Sequence, residues 1–174
     1  MDIKFYVEPI FKIDFLKIEC SDFKNKKEKI KKVLKKYPEV RQQNFSTSRF
    51  KDGFCKEFKE IFKDELKIVR RKHDDFIDLY GAWSVTYKKG DYHAPHNHGS
   101  RGYCGILYLD MHKDSPPTTY IQPWNDDNDK SRLFRPSVNE GDIVIIPQFL
   151  YHYTEPNLLK FKKRIISFDF KLGL

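Results

Sequence analysis

Gly90-Asp91-Tyr92-His93-Ala94-Pro95-His96-Asn97-His98 carries three of the chain's six histidines, a density that points to a built site rather than to scattered surface residues. If the end of this stretch is extended, strand alternation sends His96 and His98 to one face, and two imidazoles converge on one point. The odd spacing of His93 from His96 turns it to the other face, at the lip of such a site or behind its ligands. Further along, Gly141-Asp142-Ile143-Val144-Ile145-Ile146-Pro147-Gln148-Phe149-Leu150-Tyr151-His152 reads as a turn glycine, a buried strand and a proline break, with a histidine just beyond. Such a segment brings a third imidazole to the first two. His96, His98 and His152 are therefore the candidate metal ligands. Imidazole suits iron, zinc, copper and nickel alike, so the histidines alone do not name the metal. His73 and His112 read as ordinary, partly exposed histidines.

Arg164 follows His152 by twelve residues and opens Arg164-Ile165-Ile166-Ser167-Phe168-Asp169-Phe170, an apolar strand. A permanent charge at its head calls for an anion. A guanidinium grips a carboxylate through two parallel hydrogen bonds, as a dicarboxylate ligand held beside a metal would require. The alternative for Arg164 is a structural ion pair with one of the chain's own carboxylates.

The order Gly-x5-His-x-His, a β segment ending in Leu107-Tyr108-Leu109, Gly-Asp-x4-Pro-x4-His and Arg-Ile-x-Ser-Phe resembles the Fe(II)- and 2-oxoglutarate-dependent dioxygenases. The likeness is greatest to their compact members from phages and marine bacteria, distant relatives of prolyl hydroxylases. It covers residues 80 to 170, with Ala82-Trp83-Ser84-Val85-Thr86-Tyr87 leading into the first histidine motif, and Phe5-Tyr6-Val7-Glu8-Pro9-Ile10-Phe11 is similar to the first strand of such proteins. The resemblance implies a mainly β fold with flanking helices, a cupin-like double-stranded β-helix or jelly roll. It also implies Fe(II) as cofactor, 2-oxoglutarate as cosubstrate, and a hydroxylase coupling oxidative decarboxylation of 2-oxoglutarate to substrate oxidation. In that scheme His96, His98 and His152 are the catalytic metal site, Arg164 clamps the distal carboxylate of 2-oxoglutarate, and Tyr108 makes a second contact to it.

One position departs from the family. Its usual ligand set is His-x-Asp or His-x-Glu with a distal histidine, whereas the residue two after His96 is His98. Either His98 takes the carboxylate's place, or one histidine stands behind the ligands and a carboxylate arrives from elsewhere, with Asp91 and Asp110 the nearest in sequence. Gln122 is neutral and a poor iron ligand. Two rival readings accompany this departure: a cupin-type metal enzyme that does not use 2-oxoglutarate, and a non-catalytic barrel that binds a carboxylated ligand or an acidic partner.

The 174 residues suffice for one core, and no repeat or linker-like stretch divides them. The expected organisation is a single domain, 1–174, in which 1–79 supplies an N-terminal strand and supporting helices and 80–174 the metal-binding jelly-roll core. The start lacks a secretory pattern, no segment reaches membrane-spanning length, and three cysteines at unrelated spacings argue for a reducing cytoplasm, that of the host if the chain is phage-encoded. Asn25 to Glu28 resembles a capping signal, followed by an Ile30, Val33, Leu34 stripe that Tyr37-Pro38 ends. A second, longer helix has Phe54, Phe58, Ile61, Phe62, Leu66 and Val69 on one face and Arg70-Arg71-Lys72 at its end. The net charge of +8 is concentrated in lysines that read as solvated helix faces, with a polyanionic substrate or partner the lesser reading. The loops between Asp110 and Arg135 are expected to select the substrate, which a protein side chain, a nucleobase or a metabolite could supply. Trp124 among them either covers the metal or closes one end of the core.

Overall fold

The computed structural model describes residues 13, 15–48, 52–73, 77–125 and 128–172. In chain order its elements are β1 (Leu16–Glu19), α1 (Phe23–Leu34), β2 (Val40–Arg41), β3 (Ser46–Thr47), α2 (Asp52–Ile61), α3 (Lys63–His73), β4 (Ile77–Tyr87), β5 (His93–His96), β6 (Tyr103–Asp110), β7 (Thr118–Asn125), β8 (Ser131–Phe134), β9 (Asp142–Pro147), β10 (His152–Thr154) and β11 (Lys163–Leu172). Seven strands form a major sheet in the order β1-β9-β6-β11-β4-β3-β2, and four form a minor sheet, β5-β10-β7-β8. Every pairing is antiparallel. This is the expected jelly roll with flanking helices.

The central strands β6 and β9 are buried along almost their whole length. They read as continuous apolar runs because both faces are covered, by helices on one side and by the minor sheet on the other. Alternation along β11 divides the core accordingly. Ile166, Phe168 and Phe170 join Phe54, Phe58 and Phe62 in a layer between sheet and helices, while Ile165 joins Val85, Tyr87, Ile106 and Tyr108 between the two sheets. Phe58 is fully buried, its ring 4.8 Å from that of Phe62 and 4.9 Å from that of Phe168. Gly105 on β6 lies opposite Phe168, and any Cβ there would enter the Phe168 ring. The glycine is what lets that ring lie flat on the sheet.

The helices differ in detail from the sequence expectation. The first begins earlier than the Asn25 signal: Asp22 is the N-cap residue, in a left-handed conformation at φ 48°, and the Asn25 side-chain amide donates back to its carboxylate. The aromatic stripe belongs to two helices that meet at Phe62. The bonds Phe62 N–H to Phe58 O and Leu66 N–H to Phe62 O, both 3.0 Å, carry the stripe across the junction. A buried ion pair, Lys26 Nζ to Glu65 at 2.8 Å, ties α1 to α3. The sheet crosses the expected division at residue 79, since β4 starts at Ile77 and the β2–β3 hairpin pairs with it through Ser46 and Thr47. The predicted opening strand, Phe5 to Phe11, lies outside the described residues, as does the side chain of His73.

Candidate metal centre

β5 pairs with β10 through His96 opposite His152 and His93 opposite Thr154. Three residue steps on β5 thus match two on β10, a bulge that resets the alternation. For this reason His93 does not turn away from His96. The two rings stack at 4.0 Å, and both line the same cavity. His98 lies beyond the end of β5, where its backbone N–H donates to Gln148 O at 3.0 Å. His152 enters from the first residue of β10 and is 3 % exposed.

The structure brings His96, His98 and His152 together, with one ring nitrogen of each within 4.8 Å of the others. In every case Nδ1 faces an oxygen: Ala94 O at 2.8 Å for His96, Leu150 O at 3.1 Å for His152, and Asp169 Oδ1 at 2.6 Å for His98. A carbonyl or carboxylate oxygen only accepts, so Nδ1 is the protonated nitrogen and Nε2 carries the lone pair. Burial, followed by repulsion from the neighbouring His96, pushes His152 down to about 3, which keeps that ring neutral and able to ligate. A second grouping, His98 with Cys104 and Asp169, is also close. There the 2.6 Å between Nδ1 and Oδ1 is a hydrogen bond, too short to admit an ion between them.

The carboxylates considered from sequence lie elsewhere. Asp91 is taken by Arg41 at 2.6 and 2.7 Å, and Asp110 by Lys27 and Lys31 at 2.9 and 2.7 Å. Gln122 faces a separate apolar groove. Asp169 is the residue that sequence reading missed. Its signal was present: along Ile165, Ser167 and Asp169 it is an acid on an inward position of an otherwise apolar strand.

The histidines open into a cavity of about 560 Å³, walled by Trp83, Val85, Ile106 and Ile165 of the major sheet and by Phe45 and Gln42 of the β2–β3 hairpin. Behind Tyr87, which lines the cavity, stands Lys163, wholly buried and not itself part of the lining. Its ammonium donates to Pro116 O at 2.6 Å and lies 5.7 Å from the ring centres of Tyr87 and Tyr108. Among the described residues no carboxylate comes within ion-pair distance of it, and burial pushes it down to about 7. Tyr108 is equally buried, its hydroxyl accepting the Thr118 N–H at 3.1 Å.

Arg164 does not reach the cavity. One residue along from Lys163, it points to the opposite face of the sheet, where Nε donates to Thr86 Oγ1 at 2.8 Å, with Glu39 at 3.6 Å and Asp110 at 3.9 Å. Of the two readings open for it, the structural ion pair is the one the fold contains. The pleat explains the difference between the two: of two adjacent cations on a strand, only one can face inward. Trp124 neither covers the histidines nor closes the core; it is 44 % exposed, in the separate groove with Phe15 and Phe134. His112 stacks on Phe161 at 4.5 Å, away from the cavity.

A family model described as "Putative 2OG-Fe(II) oxygenase" matches residues 81–169, from β4 through the inward acid of β11. No curated protein matches the sequence. Among solved structures, the fold is similar to that of HygX from Streptomyces hygroscopicus, with nickel and 2-oxoglutarate bound, at a TM-score of 0.70 and 14 % identity over 90 % of this chain and 82 % of that one. It is similar also to the viral collagen prolyl hydroxylase of Paramecium Bursaria Chlorella virus-1, in complex with 2OG, at 0.63 and 16 % over 92 % and 96 %. A Pseudomonas putida prolyl-4-hydroxylase follows at 0.62 and 10 %, over 91 % and 93 %.

Proposed function

This chain belongs to the family of 2OG-Fe(II) oxygenases, and on that premise we propose that His96, His98 and His152 hold the iron through Nε2 while Lys163 receives the distal carboxylate of 2-oxoglutarate. The observation that carries the ligand set is the engagement of all three Nδ1 atoms by oxygen acceptors, which leaves three neutral nitrogen donors at one point of the cavity. Three imidazoles suit Fe(II) as a borderline ion. A dicarboxylate suits Lys163, because a buried ammonium with one neutral acceptor gains most from an anion.

When bound, iron and 2-oxoglutarate supply the oxidising chemistry, dioxygen being consumed as the cosubstrate leaves as succinate and carbon dioxide. The chain does the positioning. The acceptors behind the imidazoles fix each ring in one tautomer. Trp83, Val85, Ile106 and Ile165 keep water from the reacting volume, and Lys163, behind Tyr87 with Tyr108 beside it, would orient the cosubstrate at that end. The cavity is within the size range of small-molecule sites, about 300 to 1,000 Å³. A cupin-type enzyme without 2-oxoglutarate would share the three histidines but would leave the buried Lys163 without an anionic partner.

An anaerobic titration with Fe(II) and 2-oxoglutarate tests this reading. The weak visible absorption of a keto acid chelated to iron should develop in the parent protein and vanish with metal binding in His96→Ala and His152→Ala. A flat spectrum with iron bound would reject the cosubstrate assignment. Full metal content in His152→Ala would reject the ligand set.

A further inference from the structure

We infer that Asp169 is the positioning residue of His98, supplying from behind the imidazole the negative charge that the family's usual ligand set places directly on the metal. This rests on the three-histidine set proposed above. His98 is the least constrained of the three by secondary structure, since it lies past the end of β5, tied through its backbone N–H to Gln148 O. Its ring is held instead by Trp83 alongside, centroids 5.6 Å apart, and by Asp169, 71 residues away in sequence.

The fold makes room for that carboxylate. Asp169 lies between Gly81 on β4 and Cys104 on β6, two small neighbours, and the β11–β4 register is irregular directly after it. Bulges of this kind re-aim a side chain. At 2.6 Å the bond is as short as charge-assisted hydrogen bonds become. The two side chains are only 7 % and 11 % exposed. A carboxylate so enclosed is costly to bury unless positive charge compensates it, and a metal on the far nitrogen of the same ring supplies that charge. His96 and His152 have neutral carbonyls in the corresponding position. The site therefore keeps one carboxylate's worth of charge, delivered through one imidazole of three, which makes His98 the strongest donor.

Calorimetric titration of the full chain with Fe(II), and with Co(II) as a spectroscopic probe, tests this under anaerobic conditions. Asp169→Asn keeps the volume and a carbonyl oxygen for the Nδ1–H, and it removes a buried charge, so it folds. Metal binding should weaken about 10- to 100-fold, and the Co(II) ligand-field bands should shift. Asp169→Ala, which loses the hydrogen bond as well, should weaken binding further. The decisive comparison is in the His98→Asp background. There Asp169 has no imidazole to act through, so Asp169→Asn should weaken metal binding far less than it does in the parent. A residue that only fills space would act equally in both backgrounds. Unchanged affinity in Asp169→Asn, or an equal loss in both backgrounds, overturns the inference. Retention of metal by His98→Ala would instead overturn the ligand set beneath it.

Discussion

Lys163 and Arg164 are neighbours with opposite fates, and the difference lies in what each can touch. Lys163 is a buried ammonium satisfied by one carbonyl and two aromatic faces. Arg164 has Thr86, Glu39 and Asp110 around it on the opposite face of the sheet. Truncating one partner of a buried charge pair costs roughly 2 to 5 kcal/mol, a loss of about 30-fold or more in affinity. Lys163→Met, which preserves the apolar stem, should therefore lose at least that much affinity for 2-oxoglutarate while binding Fe(II) like the parent. Arg164→Ala should leave both affinities unchanged and lower only the unfolding temperature. Isothermal titration of the two variants separates them, and a 2-oxoglutarate defect confined to Arg164→Ala would reverse the assignment. Among the histidines, His93 stacks on His96 and lies close to the Tyr87 hydroxyl at 3.4 Å. His93→Ala should keep its metal, measured by plasma emission after dialysis, because the Nδ1 anchor of His96 is Ala94 O.

The elements that hold the site are of two kinds. The major sheet is rigid because helices seal its outer face, and α2 does most of this through Phe58, which is buried against Phe62 and Phe168. Phe58→Ala should cost about 3 to 5 kcal/mol in denaturant unfolding. A loss under 1 kcal/mol would mean that the helix layer is not part of the cooperative core. The minor sheet is lighter. Its β5 contributes four residues, half of them exposed, and meets β10 through a bulge. That bulge is what delivers His93 and His96 to one side, and the loop beyond it brings His98 in at a height the strand could not reach. The periodicity of the helices was legible in the chain because Phe54, Phe58 and Phe62 repeat at four-residue intervals. The bulge was not, since no residue type on β5 demands one.

For the whole molecule, the buried lysine links proton binding to cosubstrate binding and to stability. Burial pushes Lys163 down to about 7 from the ordinary value of 10.5. Between those values the unfolded chain binds the proton and the folded, cosubstrate-free chain does not, so stability should rise with pH across that window, and the contribution is lost as pH falls through about 7. Lys163→Met should show a flatter profile in thermal unfolding from pH 6 to 9. Because the cosubstrate's carboxylate needs the charged ammonium, 2-oxoglutarate should bind most tightly below about pH 7 and progressively more weakly above it. Lys163→Arg, charged throughout, should flatten that dependence if it binds at all. An affinity independent of pH in the parent would exclude Lys163 as the carboxylate's partner. On the outside, the basic helix faces are engaged in part with carboxylates, such as Lys36 with Glu57 and Lys63 with Glu60. No helix among the described residues is long and apolar enough to cross a membrane.

What the chain determined by itself is what depends on near neighbours: the His-x-His cluster, the glycine, apolar run and proline before His152, the aromatic stripe, and hence the jelly roll and its three converging imidazoles. What only the tertiary structure decided is which face each residue of β11 presents. Side chains along a strand alternate with a period of two, so a shift of one residue exchanges the faces. The register of β11 is set by its pairing with β4 and β6, whose residues lie more than fifty positions away in sequence. That register turned Lys163 rather than Arg164 inward, beside Tyr87 and Tyr108, and aimed Asp169 at the back of His98. A sequence read locally contains the cation and the carboxylate but not the pleat that assigns them, because the contacts that fix the pleat form only when the distant strands meet.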